Sequence, residues 1–251
     1  NLSGVVTTTL LASQVHKSAT PIHTWRFLFV PETIGPIAYL SSYPDIIERT
    51  VGGLVVTCCG GPGPLGYKMT FQGDHVVDRA IEIAFHELNA EPERYAFSPL
   101  GSDERQYSSP GVRIPVATIC KDKYHEFKEY HTSADNLNFV KPEYVFESLE
   151  LYRRVQNILD SNTRIISTID GGEPQLGARG LYPTIGGANK QSVSKSREES
   201  AGFDLDSVMW TLFLADGEHD LISIAEKSGS NYSDILSVFK KLELAGLVTR
   251  A

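Results

Sequence analysis

The chain has 251 residues, 41% of them hydrophobic and 22% charged, a globular composition suited to one large domain or a large plus a small one, which excludes disorder and fibres. With 23 basic residues against 31 acidic ones the net charge is -8, so a general polyanion-binding role, nucleic acid above all, has no electrostatic support. No apolar run approaches the roughly 20 residues of a membrane span, and no secretory signal is visible.

The first residue is Asn1 rather than Met, and the opening Asn-Leu-Ser-Gly reads as the inside of a motif, so an N-terminal part is expected to be missing. From Ser3 to Lys17, Val6, Leu10 and Leu11 fall at helical spacing, and Trp25 to Val30 reads as a short apolar strand ending at Pro31. Ile37 to Arg49 is expected to be helical, Gly53 to Cys59 a β-branched strand, and His75 to Asn89 a helix with Val76, Ala80, Ile83, Ala84 and Leu88 on one side. Ile114 to Cys120 supplies another strand, and Pro142 to Asp160 a long amphipathic helix with proline in its first turn. Helices alternating with short apolar strands imply an α/β layer fold.

Residues Asp170 to Gly187 are rich in Gly and Pro and read as an ordered loop packed on the first domain, anchored by Leu176, Leu181, Tyr182 and Ile185. The expected domains are therefore 1–187, a polar linker over 188–202, and a small domain over 203–251. In that last stretch three helical patterns, Leu205 to Ala215, Leu221 to Ser228 and Tyr232 to Ala245, precede a possible strand at Leu247 to Arg250, with an Asp216–Asp220 turn between the first two. The order resembles a winged helix. Four basic residues face eight acidic ones over 203–251, a balance that disfavours phosphate contacts and favours a protein partner or self-packing. Three cysteines, two of them adjacent at Cys58 and Cys59, lack disulfide-framework and zinc-ribbon spacing and read as buried reduced thiols of a cytoplasmic protein.

Two loops could carry chemistry. His131, before Thr132 and four residues ahead of Asp135, can present an imidazole to a metal or simply lie at the surface. Glu32 follows an apolar stretch and precedes a helix, a place suited to a base or ligand and equally to a carboxylate facing the helix dipole.

Four motifs in order, NLSG, PETIGPI, GSDERQYSSPG running into GVRIP, and YHTSADN, resemble the zinc aminopeptidase superfamily, which includes bacterial leucyl aminopeptidases and glutaminyl cyclases. There the patterns are DDNxSG, EExGxxGS, SDHxxF with GIP, and HTxxDT. More closely, PETIG, GSDERQY, EYHTSADNL and EPQLGARGLYPT are similar to the aminopeptidase-like family labelled polysaccharide biosynthesis protein, which carries a C-terminal winged helix.

The resemblance implies a zinc-aminopeptidase-like mixed sheet flanked by helices, plus the small winged-helix domain. It places Glu32 at the general base, Thr33 at a position normally held by a second, metal-binding Glu, and His131 at a metal ligand. Asp103 falls on a supporting Asp and Glu104 replaces a His. Two further ligands of the superfamily fall before Asn1, and the stretch Thr57 to Gly61, where another is expected, holds no carboxylate; Asp103 or Glu104 is a candidate to compensate as metal ligand. The implied cofactor is zinc, one or two ions, and the implied substrate a peptide-like or amino-sugar amide, lined by Arg105, Tyr107, Glu173, Gln175, Arg179 and Tyr182. The competing expectation is a non-catalytic scaffold that retains the fold.

Overall fold

The computed structural model describes residues 2–18, 21–179, 181 and 205–251. Two compact units result, Asn1–Asp160 and Ser161–Ala251. The expected boundary at 187 thus moves to 160/161, because the chain after the long helix enters a second sheet at once. The expected linker, 188–202, lies outside the described residues.

In the first unit, α1 (Leu2–Lys17) buries Ser3, Gly4, Thr7, Leu11 and Val15 along one face. The residues Trp25 to Val30, expected as a strand, join no ladder, and Phe29 and Val30 stand 54% and 39% exposed. A strand needs a neighbour for its backbone donors and acceptors, and apolar composition alone supplies none. The segment is tied instead at its start, where the Asp160 carboxylate accepts from Ile22 N–H at 3.2 Å, His23 N–H at 3.1 Å and Trp25 Nε1 at 2.8 Å.

The single helix expected over Ile37 to Arg49 is two, α2 (Ile34–Ser42) and α3 (Asp45–Arg49). Pro44 breaks it: proline disfavours the helical region for the residue before it, and Tyr43 accordingly sits at φ -132°. Strand β1 (Gly53–Val56) follows, then β2 (Gly66–Lys68), α4 (Val76–Glu87), β3 (Glu93–Tyr95), the short helix α5 (Glu104–Tyr107), β4 (Val116–Cys120) and α6 (Pro142–Ser161). The sheet order is β1-β4-β2-β3, with β1 parallel to β4, β2 parallel to β3 and β2 antiparallel to β4. It is the expected mixed sheet, with β4 buried at all five residues. Helix α6 is fastened across the parallel pair by Tyr152, whose hydroxyl lies 2.9 Å from the Val55 carbonyl and 2.7 Å from that of Ile119.

α1 meets β1 backbone to backbone. A Cβ added at Gly4 would stand 2.3 Å from the Val56 carbonyl oxygen, so only glycine permits the approach. Next to it, Cys59 N–H donates to Ser3 Oγ at 3.1 Å. Ser3 and Gly4 of the NLSG motif therefore form a packing joint between helix and sheet. All three cysteines are free and buried, Cys120 within β4 and the adjacent pair just beyond the end of β1.

In the second unit, β5 (Arg164–Ser167) lies between β6 (Asp216–Asp220) and β7 (Val248–Arg250), antiparallel to both. Helices α7 (Leu205–Phe213), α8 (Leu221–Ser228) and α9 (Tyr232–Leu244) complete a winged helix. The Asp216–Asp220 stretch, expected as a turn, is a strand. Its Asp-Gly pair mimics a turn signal, but Gly217, at φ +88°, accompanies an irregularity in the β5–β6 register instead. The apolar faces close a core of Val208, Leu221, Ile222, Ile224, Ile235, Val238 and Phe239. Among the described residues no helix is long and apolar enough to cross a membrane.

Candidate functional site

The loop before α2 carries Glu32, exposed, and is held by an unusual backbone. Thr33 sits at φ +68° and ψ -63°, the centre of a γ-turn, a rare and strained conformation for a residue with a Cβ. Three bonds pin it: Ile34 N–H donates to Glu32 O at 2.8 Å, Gly35 N–H to Pro31 O at 2.9 Å, and Thr33 N–H to Asp103 Oδ1 at 2.8 Å. Gly35 is required because a Cβ there would lie 2.5 Å from Val30 Cβ. Asp103 precedes α5 without capping it; its carboxylate positions the Glu32 loop. Burial pushes its carboxyl up, the Thr33 N–H acts against this, and the charges of Glu32 and Glu104 push the same way as burial.

Glu104, the candidate compensating ligand, is 0% exposed and fully engaged. Lys68 Nζ donates to Oε1 at 2.7 Å, Tyr124 Oη to Oε1 at 3.1 Å, Ser102 N–H to Oε1 at 3.2 Å and Thr118 Oγ1 to Oε2 at 3.1 Å. Gly101 is bound to be glycine, since a Cβ would stand 2.3 Å from Glu104 Oε1 and 2.7 Å from Lys68 Nζ. Glu104 is a buried structural anion, satisfied by protein donors. Tyr107 likewise packs into the core, against Leu40, Ile114 and Val116, where burial pushes its phenol up to about 12.

His131 lies in the long turn-rich loop after β4, exposed, at φ +54°. Its ring stacks on Tyr130 with centroids 3.9 Å apart, and His125, at φ +68°, lies 6.4 Å from it. Burial pushes the Tyr130 phenol up, and the Cys58 and Glu32 charges add to this. Glu32 thus lies within electrostatic reach of both Asp103 and Tyr130, and Tyr130 packs against Cys58 and Cys120 at the carboxyl ends of the parallel strands β1 and β4, where α/β sheets present ligand sites.

A carboxylate missed in the sequence stands there too. Asp122, just past β4, is wrapped by the glycines after β1: a Cβ on Gly61 would lie 1.9 Å from Oδ2 and one on Gly63 2.1 Å from Oδ1. Gly63 N–H donates to Oδ2 at 3.3 Å, yet burial still pushes the carboxyl up. The sequence signal was the Gly60-Gly61-Pro62-Gly63 run, which marks close backbone approach without saying to what. Asp122, His131, Asp135, Ser3 and Cys58 line one narrow cavity of about 20 Å³, room for about one water.

These residues do not make a metal centre by themselves. Among the described residues no three His, Cys, Asp or Glu side chains come together as a group able to hold an ion; Glu104 is spent on Lys68, and one oxygen of Asp103 accepts from Thr33. The described residues of this chain thus do not fit the implied zinc. Glu173, Gln175 and Arg179 belong to the second unit, all exposed, with Arg179 Nη1 donating to Gln175 O at 3.3 Å. The structure does not gather them with Glu32 in one unit. Tyr182 lies outside the described residues.

Comparison with known proteins follows the same division. A family model described as a domain of unknown function, DUF4910, matches residues 1–162, and one described as winged helix-turn-helix matches 164–250. A curated Clostridium acetobutylicum relative, named a polysaccharide biosynthesis protein with aminopeptidase-like domain, is 38% identical over 235 residues, covering 94% of this chain and 51% of the relative. A crystal structure from the same organism, described as a candidate peptidase, aligns with TM-score 0.84 and 32% identity over 100% of this chain and 54% of that one. An aminopeptidase from Aneurinibacillus sp. strain AM-1 aligns with TM-score 0.47 and 20% identity over 62% of this chain and 38% of its own. The chain spans about half the length of the Clostridium acetobutylicum relatives that it matches.

Proposed function

The chain belongs to the DUF4910 family and ends in a winged helix, and from that premise we propose that its first unit is part of an aminopeptidase-like hydrolase. The substrate is an amide, in a peptide or an amino-sugar conjugate, and the setting is polysaccharide biosynthesis, as the name of the 38% identical relative suggests. One observation carries the reading: Glu32 is exposed on a loop pinned by Asp103 and within electrostatic reach of the His131-bearing loop.

Glu32 takes a proton from the attacking water as its oxygen bonds to the amide carbon. The same proton passes to the nitrogen as the C–N bond breaks, releasing a carboxylic acid and an amine. Asp103 is a positioning residue, since it holds the loop and not the reacting atoms. The winged helix serves as a protein-binding or self-packing module, and the three buried free thiols agree with a reducing, cytoplasmic setting.

A scaffold reading is favoured by a different observation, the sequestration of Glu104 by Lys68. Release of amine from amino-acyl amides by the full-length protein separates the two. Glu32→Gln should lower the rate by about 10²–10⁴-fold with an unchanged melting curve. Absence of any turnover by the full-length protein, with or without added zinc, would establish the scaffold.

A further inference from the structure

The first unit holds a second, larger cleft, of about 760 Å³, well inside the roughly 300–1,000 Å³ typical of small-molecule sites. Its wall includes Lys68, Arg94, Arg105, Lys123 and His125, with Glu126 as the carboxylate among its lining residues. In a protein of net charge -8 such a local reversal of sign calls for a reason.

Three of the four lysines and arginines on this wall are committed. Lys68 donates to Glu104, Ser98 O and Leu100 O. Arg94 spends a bidentate fork on Glu82, at 2.6 and 2.7 Å, and Lys123 pairs with Glu126 at the partly exposed rim. Arg105 differs. Of the five N–H donors of a guanidinium, it uses one, from Nη2 to Thr33 Oγ1 at a long 3.3 Å, while its Nε is buried without an acceptor. The opposing charge that acts on it, Asp103, has one oxygen taken by Thr33 N–H. A guanidinium held with most donors unspent on the wall of a cleft is matched by an oxyanion, which takes two N–H bonds in one plane.

We infer that this cleft binds an anionic oxygen group, a carboxylate or a phosphate, with Arg105 as its anchor and Lys123 as a second donor released from Glu126. Through Thr33, Arg105 touches the loop that carries Glu32, so the anion sits beside the candidate hydrolytic site. Where the hydrolase reading holds, the substrate is an amide carrying such a group on the side facing Arg105. The binding itself does not depend on that reading.

Isothermal titration of the full chain with inorganic phosphate, and separately with acetate, tests this and tells the two sources apart. At least one should saturate at one per chain. Arg105→Gln should weaken binding by about tenfold to a hundredfold, and Lys123→Gln should weaken it less. Glu126→Gln, which removes the competing carboxylate, should tighten binding by up to about fivefold. Because Lys123 and Glu126 are partly exposed, their variants keep the test readable if Arg105→Gln fails to fold. Saturation by neither anion, equal binding by a folded Arg105→Gln protein, or weaker binding by Glu126→Gln would overturn the inference. Amide turnover without anion binding would sink this cleft alone; anion binding without amide turnover would sink the hydrolase alone.

Discussion

Lys68 Nζ and Glu104 Oε1 lie 2.7 Å apart with side chains 3% and 0% exposed, a charge pair sealed between β2 and the start of α5. Each charge has further partners: Glu104 accepts from Thr118, Tyr124 and Ser102 as well, and Lys68 donates to two carbonyls. Removing one partner strands the other in a low-dielectric interior. Lys68→Met should therefore cost about 3–5 kcal/mol of stability, read as a shift in a urea unfolding midpoint at constant slope. The double variant Lys68→Met, Glu104→Leu should recover part of that loss. A Lys68→Met midpoint equal to wild type would show that the pair is not sealed as described.

Asp103 and Thr33 join the Glu32 loop to α5 by one bond of 2.8 Å. Thr33 sits at φ +68°, and of the bonds that pin its loop this is the one that its own amide makes. Asp103→Ala should cost about 1–3 kcal/mol, the price of a donor left without its partner, and should raise the hydrogen-exchange rate of the Thr33 amide. Unchanged exchange at Thr33 would mean that the loop is held by other contacts.

His75 caps α4, with its Nδ1 accepting from Val77 N–H at 3.3 Å, a role open only to the deprotonated nitrogen. Burial lowers its basicity below the ordinary 6.5, against the raising pull of Asp78 and Asp74. The unfolded chain thus binds the proton more tightly than the folded one. The cap's contribution is full above pH 6.5 and is lost as pH falls from there through the lower folded-state value. His75→Asn, an uncharged cap, should flatten that part of the stability profile measured from pH 7 to pH 5. An unaltered slope would assign it to other groups.

How far the sequence reaches is clear from individual elements. Helices α4, α6, α8 and α9 were legible because each carries enough apolar period to bury one face; α1 was expected as a helix too, but the face it buries is Ser3, Gly4, Thr7, Leu11 and Val15, with Val6 exposed. Strands β2 and β3 were not, being three residues each, too short to show alternation. Trp25 to Val30 misled for the opposite reason: it has strand composition, but pairing is a property of a neighbour.

At the site, the motifs brought Glu32, Asp103, Glu104 and His131 to attention, and nothing in their spacing could distinguish the exposed Glu32 from the sealed Glu104, one residue after Asp103. That difference arises from Lys68, 36 residues away in the chain, and from Gly101, whose missing side chain lets the two charges meet. Asp122 was hidden likewise until the glycines after β1 folded over it.

The sequence by itself determined the α/β layering, the winged helix and the family, because periodicity and ordered motifs are local properties of the chain. Tertiary structure alone decided where the second unit begins, which carboxylates remain exposed, and that Arg105 lines the cleft with most of its donors unspent. Charge becomes chemistry only once burial and partners are set, and these come from residues far apart in sequence.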